Sequence, residues 1–261
     1  MTQHDVTTSD GVRLHAEVEG DGPTIVFANS LGTDLHLWDA VVPRLPGSLR
    51  VVRWDKRGHG RSDVPPAPYA MGRLIADAEA VCDALEVREA LFVGLSIGGM
   101  IAQGLAVKRP DLIRAAVLSN TGVKIATPAI WQERIDAIRD GGLEAIADAV
   151  MTRWFSRGFD QVDAWRARFL RTPVDGYVGC SHAIAGTDLL TPTSGLRLPV
   201  LTIAGDEDGA TPPDMLRELA DLIPGSRSVL IRGAGHLPCV EKPDDYVAAL
   251  TAFIDATGHR G

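Results

Sequence analysis

Residues 90–98 read Ala-Leu-Phe-Val-Gly-Leu-Ser-Ile-Gly, and this stretch decides the fold. Its first four residues are apolar and predict a short buried strand. The apolar residues from Ile97 to Val107 predict a helix that ends near Pro110. Ser96 then lies on a sharp turn between them, where the backbone is strained and a Cβ on either flanking glycine would collide with the strand or the helix. The stretch therefore predicts a nucleophilic serine on a strand-to-helix turn.

The surroundings of this turn have to support the prediction, because a chain with 27 glycines contains Gly-x-Ser-x-Gly strings by chance. Two further apolar runs supply that support. Residues 198–204 predict a buried strand that leads into an acidic loop, and residues 229–231 predict another that leads into a glycine-rich loop ending at His236. A serine, an acid and a histidine thus each follow the carboxyl end of a strand, in the chain order of one known triad arrangement.

The three residue types form one chemical unit. A serine hydroxyl is a weak nucleophile until an imidazole removes its proton, and that imidazole needs a carboxylate to fix its tautomer. We assign these roles to Ser96, His236 and Asp208. Asp206 follows its strand so closely that it would point along the turn, but it stays open as a substitute for Asp208. Glu207 is the least suitable of the three acids.

The oxyanion of the tetrahedral intermediate needs two backbone N–H donors, one of them from the residue after the nucleophile. That residue is Ile97. The second donor is expected in the loop at residues 29–33, after a predicted strand at 24–28. Many hydrolases have His-Gly where this chain has Asn29-Ser30, and aligning the two makes Leu31 the donor. Because the backbone amide acts, Leu31 need not be polar.

Composition narrows the class of protein. The chain has 261 residues, is 45% hydrophobic and can bury one large core. Its net charge of −8 argues against nucleic acid or an anionic membrane as a partner, so a small-molecule substrate is expected. Three scattered cysteines predict neither a disulfide framework nor a metal site, and no cofactor is expected. The polar first ten residues and the lack of a long apolar run predict a cytoplasmic protein.

The order of elements predicts an α/β fold with a mostly parallel sheet flanked by helices. Residues 12–18 alternate loosely and predict an edge strand, whereas 24–28 predict a strand buried on both faces. Between Gly122 and Leu196 the strand pattern disappears, and helix-like segments occupy 129–139, 142–155, 161–170 and 174–185. We therefore expect a core domain of residues 1–121 and 197–261, and a helical cap of residues 122–196 inserted in it.

One charged segment is not assigned to chemistry. Residues 55–62, Asp-Lys-Arg-Gly-His-Gly-Arg-Ser, resemble a basic anion-binding loop, but their glycines fit a tight turn. We expect a scaffold loop beside the Ser96 turn, with no catalytic role.

Taken together, these motifs resemble the α/β-hydrolase fold over nearly the whole chain. A closer resemblance rests on the loop at 29–33, the turn and helix at 94–103, and the cap string at 177–188, Tyr-Val-Gly-Cys-Ser-His-Ala-Ile-Ala-Gly-Thr-Asp. Of these, only the loop and the cap string are specific, because the core motifs are shared by many esterases. These resemble the bacterial 3-oxoadipate enol-lactonase family. The resemblance implies hydrolysis of 3-oxoadipate enol-lactone to 3-oxoadipate in the β-ketoadipate pathway of aromatic catabolism.

The implied substrate carries a carboxylate, which an acidic protein must hold with a local cation. Arginine suits a carboxylate because its planar fork donates two parallel hydrogen bonds. The cap offers Arg134 beside Trp131, and Arg153 beside Trp154. We expect Arg134, Trp131 and Trp154 to contact the substrate, since pockets are mainly apolar with a few placed polar groups.

Other functions share the same motifs. A general carboxylesterase or another lactonase would use the same triad, and a C–C hydrolase or a cofactor-free perhydrolase also uses a serine here. A dehalogenase or an epoxide hydrolase of this fold needs an aspartate in place of Ser96. A ligand receptor that kept the triad for sensing is the alternative from outside enzymology. The sequence predicts no particular oligomeric state.

Overall fold

Eight strands form one sheet in the computed structural model, which describes residues 1–260. The strands are β1 (Thr2–Thr7), β2 (Arg13–Glu19), β3 (Thr24–Ala28), β4 (Arg50–Trp54), β5 (Ala90–Leu95), β6 (Ile113–Ser119), β7 (Val200–Gly205) and β8 (Arg227–Ile231). Their order across the sheet is β1-β2-β4-β3-β5-β6-β7-β8. The pairs β1–β2 and β2–β4 are antiparallel, and all the others are parallel. The predicted fold class is confirmed.

The edge strand was predicted wrongly. Residues 12–18 form most of β2, which lies between β1 and β4, and the edge of the sheet is β1. In β1 only Val6 is buried, so its sequence carries almost no apolar signal. The apolar content of residues 2–7 is too low to predict a strand. These residues form β1 because they pair with β2.

The central strands place the site. Strands β3, β5 and β7 are buried along their whole length, as expected for parallel strands that are covered on both faces. Because these strands are parallel, their carboxyl ends share one edge of the sheet. The loops at residues 29–33, at Ser96 and after residue 205 all start from that edge, so three distant segments meet there.

Ten α-helices accompany the sheet among the described residues. Outside the segment between β6 and β7 they are α1 (Met71–Ala84), α2 (Ile97–Lys108), α8 (Pro213–Asp221), α9 (Pro238–Glu241) and α10 (Pro243–Ala256). Helix α2 follows Ser96 directly and packs on β3, β5 and β6. It is apolar except for Gln103 and Lys108, and nine of its residues are buried. Helix α2 is therefore held rigidly against the centre of the sheet.

The chain between β6 and β7 is helical, as the loss of strand pattern predicts. It contains α3 (Pro128–Gly141), α4 (Glu144–Trp154), α5 (Val162–Phe169), α6 (Val174–Ala185) and the short α7 (Leu190–Ser194). Four of these helices correspond to predicted segments, and α7 was not predicted. Whether this region forms a separate domain, as proposed for residues 122–196, stays a prediction.

Two further features concern the described chain as a whole. No helix within residues 1–260 combines the length and the apolar composition needed to cross a membrane. The three cysteines are buried and unpaired. Each of them has a thiol whose pKa is raised by burial.

Candidate active site

Ser96 lies on the strained turn that its flanking glycines predict. Its φ of 57° and ψ of −118° belong to a region that L-residues rarely adopt. A Cβ on Gly94 would lie 2.2 Å from the carbonyl oxygen of Gly98, and a Cβ on Gly98 would lie 2.2 Å from the carbonyl oxygen of Ala28. Both contacts are far too short, so only glycine fits at either position.

Hydrogen bonds from β6 and the loop after it hold the strained residue in place. The Ser96 amide donates to the Ser119 carbonyl at 2.9 Å, and the Thr121 hydroxyl donates to the Ser96 carbonyl at 2.7 Å. With both backbone groups of the residue fixed, the direction of its Cα–Cβ bond is fixed as well. The surrounding structure thus over-determines the strained conformation.

His236 and Asp208 form a buried pair. The imidazole Nδ1 donates to Asp208 Oδ2 at 2.9 Å, and the two residues are only 2% and 4% exposed. This hydrogen bond places the ring proton on Nδ1 and leaves Nε2 free to accept a proton. Ser96 and His236 line the same cavity, although residues 1–260 contain no hydrogen bond between their side chains. Such bonds are often long before substrate binds.

Asp208 is held as a carboxylate by its neighbours. Its Oδ1 accepts from the amides of Ala210 and Thr211 at 2.7 and 3.0 Å. Its Oδ2 accepts from the side-chain amide of Asn120 at 2.8 Å and from the Thr211 hydroxyl at 2.7 Å, besides His236. Burial alone would raise the pKa of Asp208, but His236 and these donors lower it below its usual range.

The competing acids of the same loop have other contacts. Asp206 Oδ1 accepts from the amide of Gly233 at 2.6 Å and holds the turn before His236. Glu207 Oε2 accepts from the amide of Arg157 at 3.1 Å. Neither carboxylate is bonded to the imidazole of His236, so the geometry within residues 1–260 favours Asp208 as its partner.

The sequence analysis missed two residues that form hydrogen bonds to Asp208. Asn120 follows the carboxyl end of β6, the position that also pointed to Ser96 and Asp208, and its positive φ of 44° turns the chain there. Thr211 lies in the acidic loop itself, and its hydroxyl is also 3.2 Å from His236 Nδ1. The position of Asn120 was a usable signal, whereas the role of Thr211 depends on how the loop folds back.

Within residues 1–260, the amides of both predicted oxyanion donors lack a hydrogen-bond acceptor. Ile97 is the first residue of α2, where a backbone N–H has no partner within the helix. In the loop at 29–33, the Gly32 amide donates to His59 Nε2 at 3.0 Å and the Thr33 amide donates to the Ser30 carbonyl at 3.3 Å. The Leu31 amide has no acceptor in the described part of the chain. Its role and that of Ile97 as oxyanion donors stay predictions.

The charged segment at 55–62 supports that loop. Lys56 Nζ donates to the Ser30 and Thr33 carbonyls at 2.7 and 2.9 Å, and His59 accepts from Gly32 as described above. Arg57 is used elsewhere, in a double hydrogen bond to the buried carboxylate of Asp77. The segment is therefore built into the scaffold, and its main contact with the site is the loop at 29–33.

A cavity of about 90 Å³ lies between the sheet edge and the helices. The core contributes Leu31, Ser96, Thr211 and His236, and the helical segment contributes Trp131, Arg134, Arg153, Trp154 and Tyr177. All the side chains predicted to contact substrate thus line the cavity that contains the serine and the histidine. A larger cavity of about 350 Å³ lies near Arg168 and does not include Ser96.

The two tryptophans form walls of the cavity and also belong to the core. Trp131 is 5% exposed and donates from Nε1 to the Ile125 carbonyl at 2.7 Å. Trp154 is 6% exposed and meets the ring of Phe169 edge-on, with 5.6 Å between the centroids. Their large apolar faces fix the shape of the cavity.

Two arginines give the cavity a positive charge. Arg134 is half-buried, lies over the ring of Trp131 at 4.8 Å and is beside the Tyr177 hydroxyl. Arg153 is exposed overall, yet its partial removal from water and then the repulsion from Arg134 lower its pKa. No carboxylate in residues 1–260 forms an ion pair with either guanidinium. The pair is therefore available to bind an anion.

The end of α4 is hydrogen-bonded to the loops that contain Asp208 and His236. Its last carbonyls have no partner within the helix. The Arg153 carbonyl accepts from the Gly209 amide at 3.1 Å, and the Trp154 carbonyl accepts from the His236 amide at 2.7 Å. The helix that carries Arg153 thus also fixes the acid loop and the backbone of His236.

Comparisons with known proteins agree with this geometry. Residues 15–250 match the model of the Alpha/beta hydrolase family. The chain is 32% identical to 3-oxoadipate enol-lactonase 2 of Acinetobacter baylyi, covering 96% of each chain. The crystal structure of the enol-lactonase from Burkholderia xenovorans is 34% identical, with a TM-score of 0.92 over 97% of this chain and 100% of that one. A hydrolase from Pseudomonas aeruginosa is 37% identical, with a TM-score of 0.92 over 97% and 98%.

Proposed function

The chain belongs to the alpha/beta hydrolase family, and from that premise we propose that it hydrolyses the ester bond of a small lactone bearing a carboxylate, most specifically 3-oxoadipate enol-lactone. The observation that carries this proposal is the pair Arg134 and Arg153, which have no carboxylate partner within residues 1–260 and line the cavity that contains Ser96 and His236. An acidic protein that directs two cations into a small apolar cavity is suited to an anionic substrate. The similarity to two enol-lactonases supports the same substrate class.

The first step forms a tetrahedral intermediate. His236 Nε2 takes the proton of the Ser96 hydroxyl, and the serine oxygen attacks the lactone carbonyl carbon. The negative charge that develops on the carbonyl oxygen faces the amides of Leu31 and Ile97. Asp208 stabilises the imidazolium through its hydrogen bond to Nδ1.

The second step is ring opening. When the carbonyl is restored, the ring C–O bond breaks and an acyl-enzyme remains. The electron pair of that bond leaves as an enolate, which takes the proton from His236 Nε2 and becomes a ketone, so the imidazole is neutral again. An enolate is a better leaving group than an alkoxide, so the oxyanion donors matter more here than acid assistance. The opened chain stays attached to Ser96 until His236 activates a water molecule that hydrolyses the acyl ester.

The arginines orient the substrate during these steps. A carboxylate held by Arg134 and Arg153 keeps the rest of a small lactone in the cavity that Ser96 also lines. Holding the reacting atoms in this way lowers the entropic cost of the attack. The buried rings of Trp131 and Trp154 limit the size of substrate that fits.

The test is a comparison of kcat/KM for 3-oxoadipate enol-lactone with the values for neutral lactones of the same ring size and for p-nitrophenyl acetate. A strong preference for the carboxylate-bearing lactone is expected. Equal rates on neutral and anionic lactones would instead identify a general esterase. Ser96→Ala should lower every rate by several orders of magnitude while the fold is kept, and substantial retained activity would refute the nucleophile assignment.

A further inference from the structure

The structure contains a buried ammonium group that the proposed mechanism does not use. Lys56 is only 2% exposed, and its Nζ donates to the carbonyls of Ser30 and Thr33. No carboxylate of residues 1–260 lies within ion-pairing distance of it. Burying an unpaired charge is costly, so these two carbonyl acceptors are the main compensation that the ammonium receives.

One of those acceptors belongs to the peptide group that carries the predicted oxyanion donor. The Ser30 carbonyl and the Leu31 N–H are two ends of one planar unit, and in a trans peptide they point in opposite directions. A carbonyl fixed at 2.7 Å from Lys56 Nζ therefore directs the Leu31 N–H away from Lys56. Leu31 lines the cavity that contains Ser96.

The contact also has an electronic effect. A hydrogen bond from a cation to a carbonyl oxygen polarises the peptide group and makes its N–H a stronger donor, particularly at low local dielectric. The Gly32 and Thr33 amides are already bonded within the scaffold. Of the three consecutive amides, the one that Lys56 polarises is therefore the one left free.

We propose that Lys56 is a positioning residue, which aims and polarises the Leu31 amide at the carbonyl oxygen of a substrate bound to Ser96. The inference rests on the proposed ester hydrolysis at Ser96, although it does not depend on which ester is the substrate. It explains why a scaffold loop places a lysine, rather than an apolar residue, in this buried position. Lys56 itself does not touch the substrate.

The charge of Lys56 responds to its surroundings. Burial lowers its pKa to about 8. The groups that face it are Asp55 and His59 of its own loop, Asp34 beyond the loop at 29–33, and Cys180 of α6. Burial and Lys56 itself hold the pKa of His59 well below its usual value, and burial raises the pKa of the Cys180 thiol to about 12. Burial also raises the pKa of Asp55. Lys56 is expected to change charge between pH 7 and 10, whereas His59 and Cys180 are not.

The experiment compares Lys56→Met with wild type, using p-nitrophenyl acetate hydrolysis that Ser96→Ala abolishes. Methionine keeps the length of the side chain but removes the charge and the donors. We expect kcat to fall by about 10- to 100-fold, less than the loss of about 10²- to 10³-fold for deleting an oxyanion donor outright, with KM changed less than twofold. The wild-type kcat should also decline above pH 8, and Lys56→Met should lack this decline.

The matched control is Lys108→Met. Lys108 is the last residue of α2, at the opposite end from Ser96, and its exposed ammonium pairs with Glu79. This variant loses the same charge and should keep the wild-type kcat and pH profile. A folded Lys56→Met variant with unchanged kcat, or with the alkaline decline intact, would overturn the proposal.

A second measurement covers the case in which Lys56→Met does not fold. In the wild-type protein, the ¹⁵N shift of the Leu31 amide should move with a midpoint near the pKa of Lys56, and in Lys108→Met it should move in the same way. A Leu31 shift that stays flat while the side-chain ¹⁵Nζ shift of Lys56 titrates would overturn the inference. Failure to hydrolyse the lactone would refute only the proposed substrate, because both measurements here are independent of it.

Discussion

Replacing the cavity arginines by methionine separates substrate recognition from chemistry. Arg134→Met and Arg153→Met keep most of the aliphatic side chain and remove the guanidinium. Neither guanidinium has a carboxylate partner among residues 1–260, so no carboxylate inside the protein loses an ion pair. The change in rate on an anionic substrate should then report its contact with the missing cation.

The size of the effect follows from the environment of each arginine. A hydrogen bond to a charged group contributes about 1.5–3 kcal/mol, which corresponds to roughly 10- to 150-fold in kcat/KM. The half-buried Arg134 should fall in the upper part of this range, and the more exposed Arg153 in the lower part because water screens it. Losing the contact of Arg134 with Trp131 should cost only about 0.5–1 kcal/mol of stability.

The assay is steady-state hydrolysis of the enol-lactone and of p-nitrophenyl acetate by each variant, with Arg139→Met as a control. Arg139 lies on the same helix α3 as Arg134, but it is exposed and does not line the cavity. The expected result is a raised KM for the anionic lactone alone. Equal losses on both substrates, or a loss of the same size in Arg139→Met, would refute the argument that these arginines bind a carboxylate.

Two further predictions concern the triad and the buried lysine. Asp208→Asn should lower kcat by about 10⁴-fold because the imidazole loses the acceptor that fixes its tautomer, whereas the kcat of Asp206→Asn should stay within about tenfold of wild type. In Asp206→Asn the side-chain amide oxygen still accepts from the Gly233 backbone amide. Similar kcat losses in the two variants would contradict the assignment. In urea unfolding, wild type should gain stability relative to Lys56→Met by up to about 3 kcal/mol as the pH rises from 8 to 10.5. In this range the lysine of the unfolded chain still binds its proton, whereas the native lysine, with a pKa of about 8, has released it. A difference between the two proteins that is constant with pH would show that the native lysine keeps an ordinary pKa.

The sequence predicted the elements whose apolar content is high. Strand β5 and the glycines around Ser96 leave a single compatible local structure, because a side chain at Gly94 or Gly98 has no room. The helices between β6 and β7 were predicted because that region lacks the continuous apolar runs that are typical of buried strands. In both cases the information is local, so a short window of sequence contains it.

The features that were missed depend on partners distant in sequence. Strand β1 is polar and exists because it pairs with β2. The contact of Asn120 with Asp208 spans 88 positions. Lys56 reaches the loop at 29–33 from a segment that the sequence predicted only as a scaffold loop beside the Ser96 turn. Arg153 was one of two candidates for binding the carboxylate, but nothing in the sequence shows that α4 ends beside the loops of Asp208 and His236.

The bonds from the last carbonyls of α4 also set a condition for protein engineering. Substrate range in such a fold is a natural target for exchanging the whole helical segment between related enzymes. Here the transferred segment would need a helix that ends with two free carbonyls at the positions of Arg153 and Trp154. These carbonyls accept hydrogen bonds from the amides of Gly209 and His236. A graft chosen for its pocket residues alone would remove the acceptor of the amide of His236, the proposed general base, so chimeras should be selected first on the backbone at this junction.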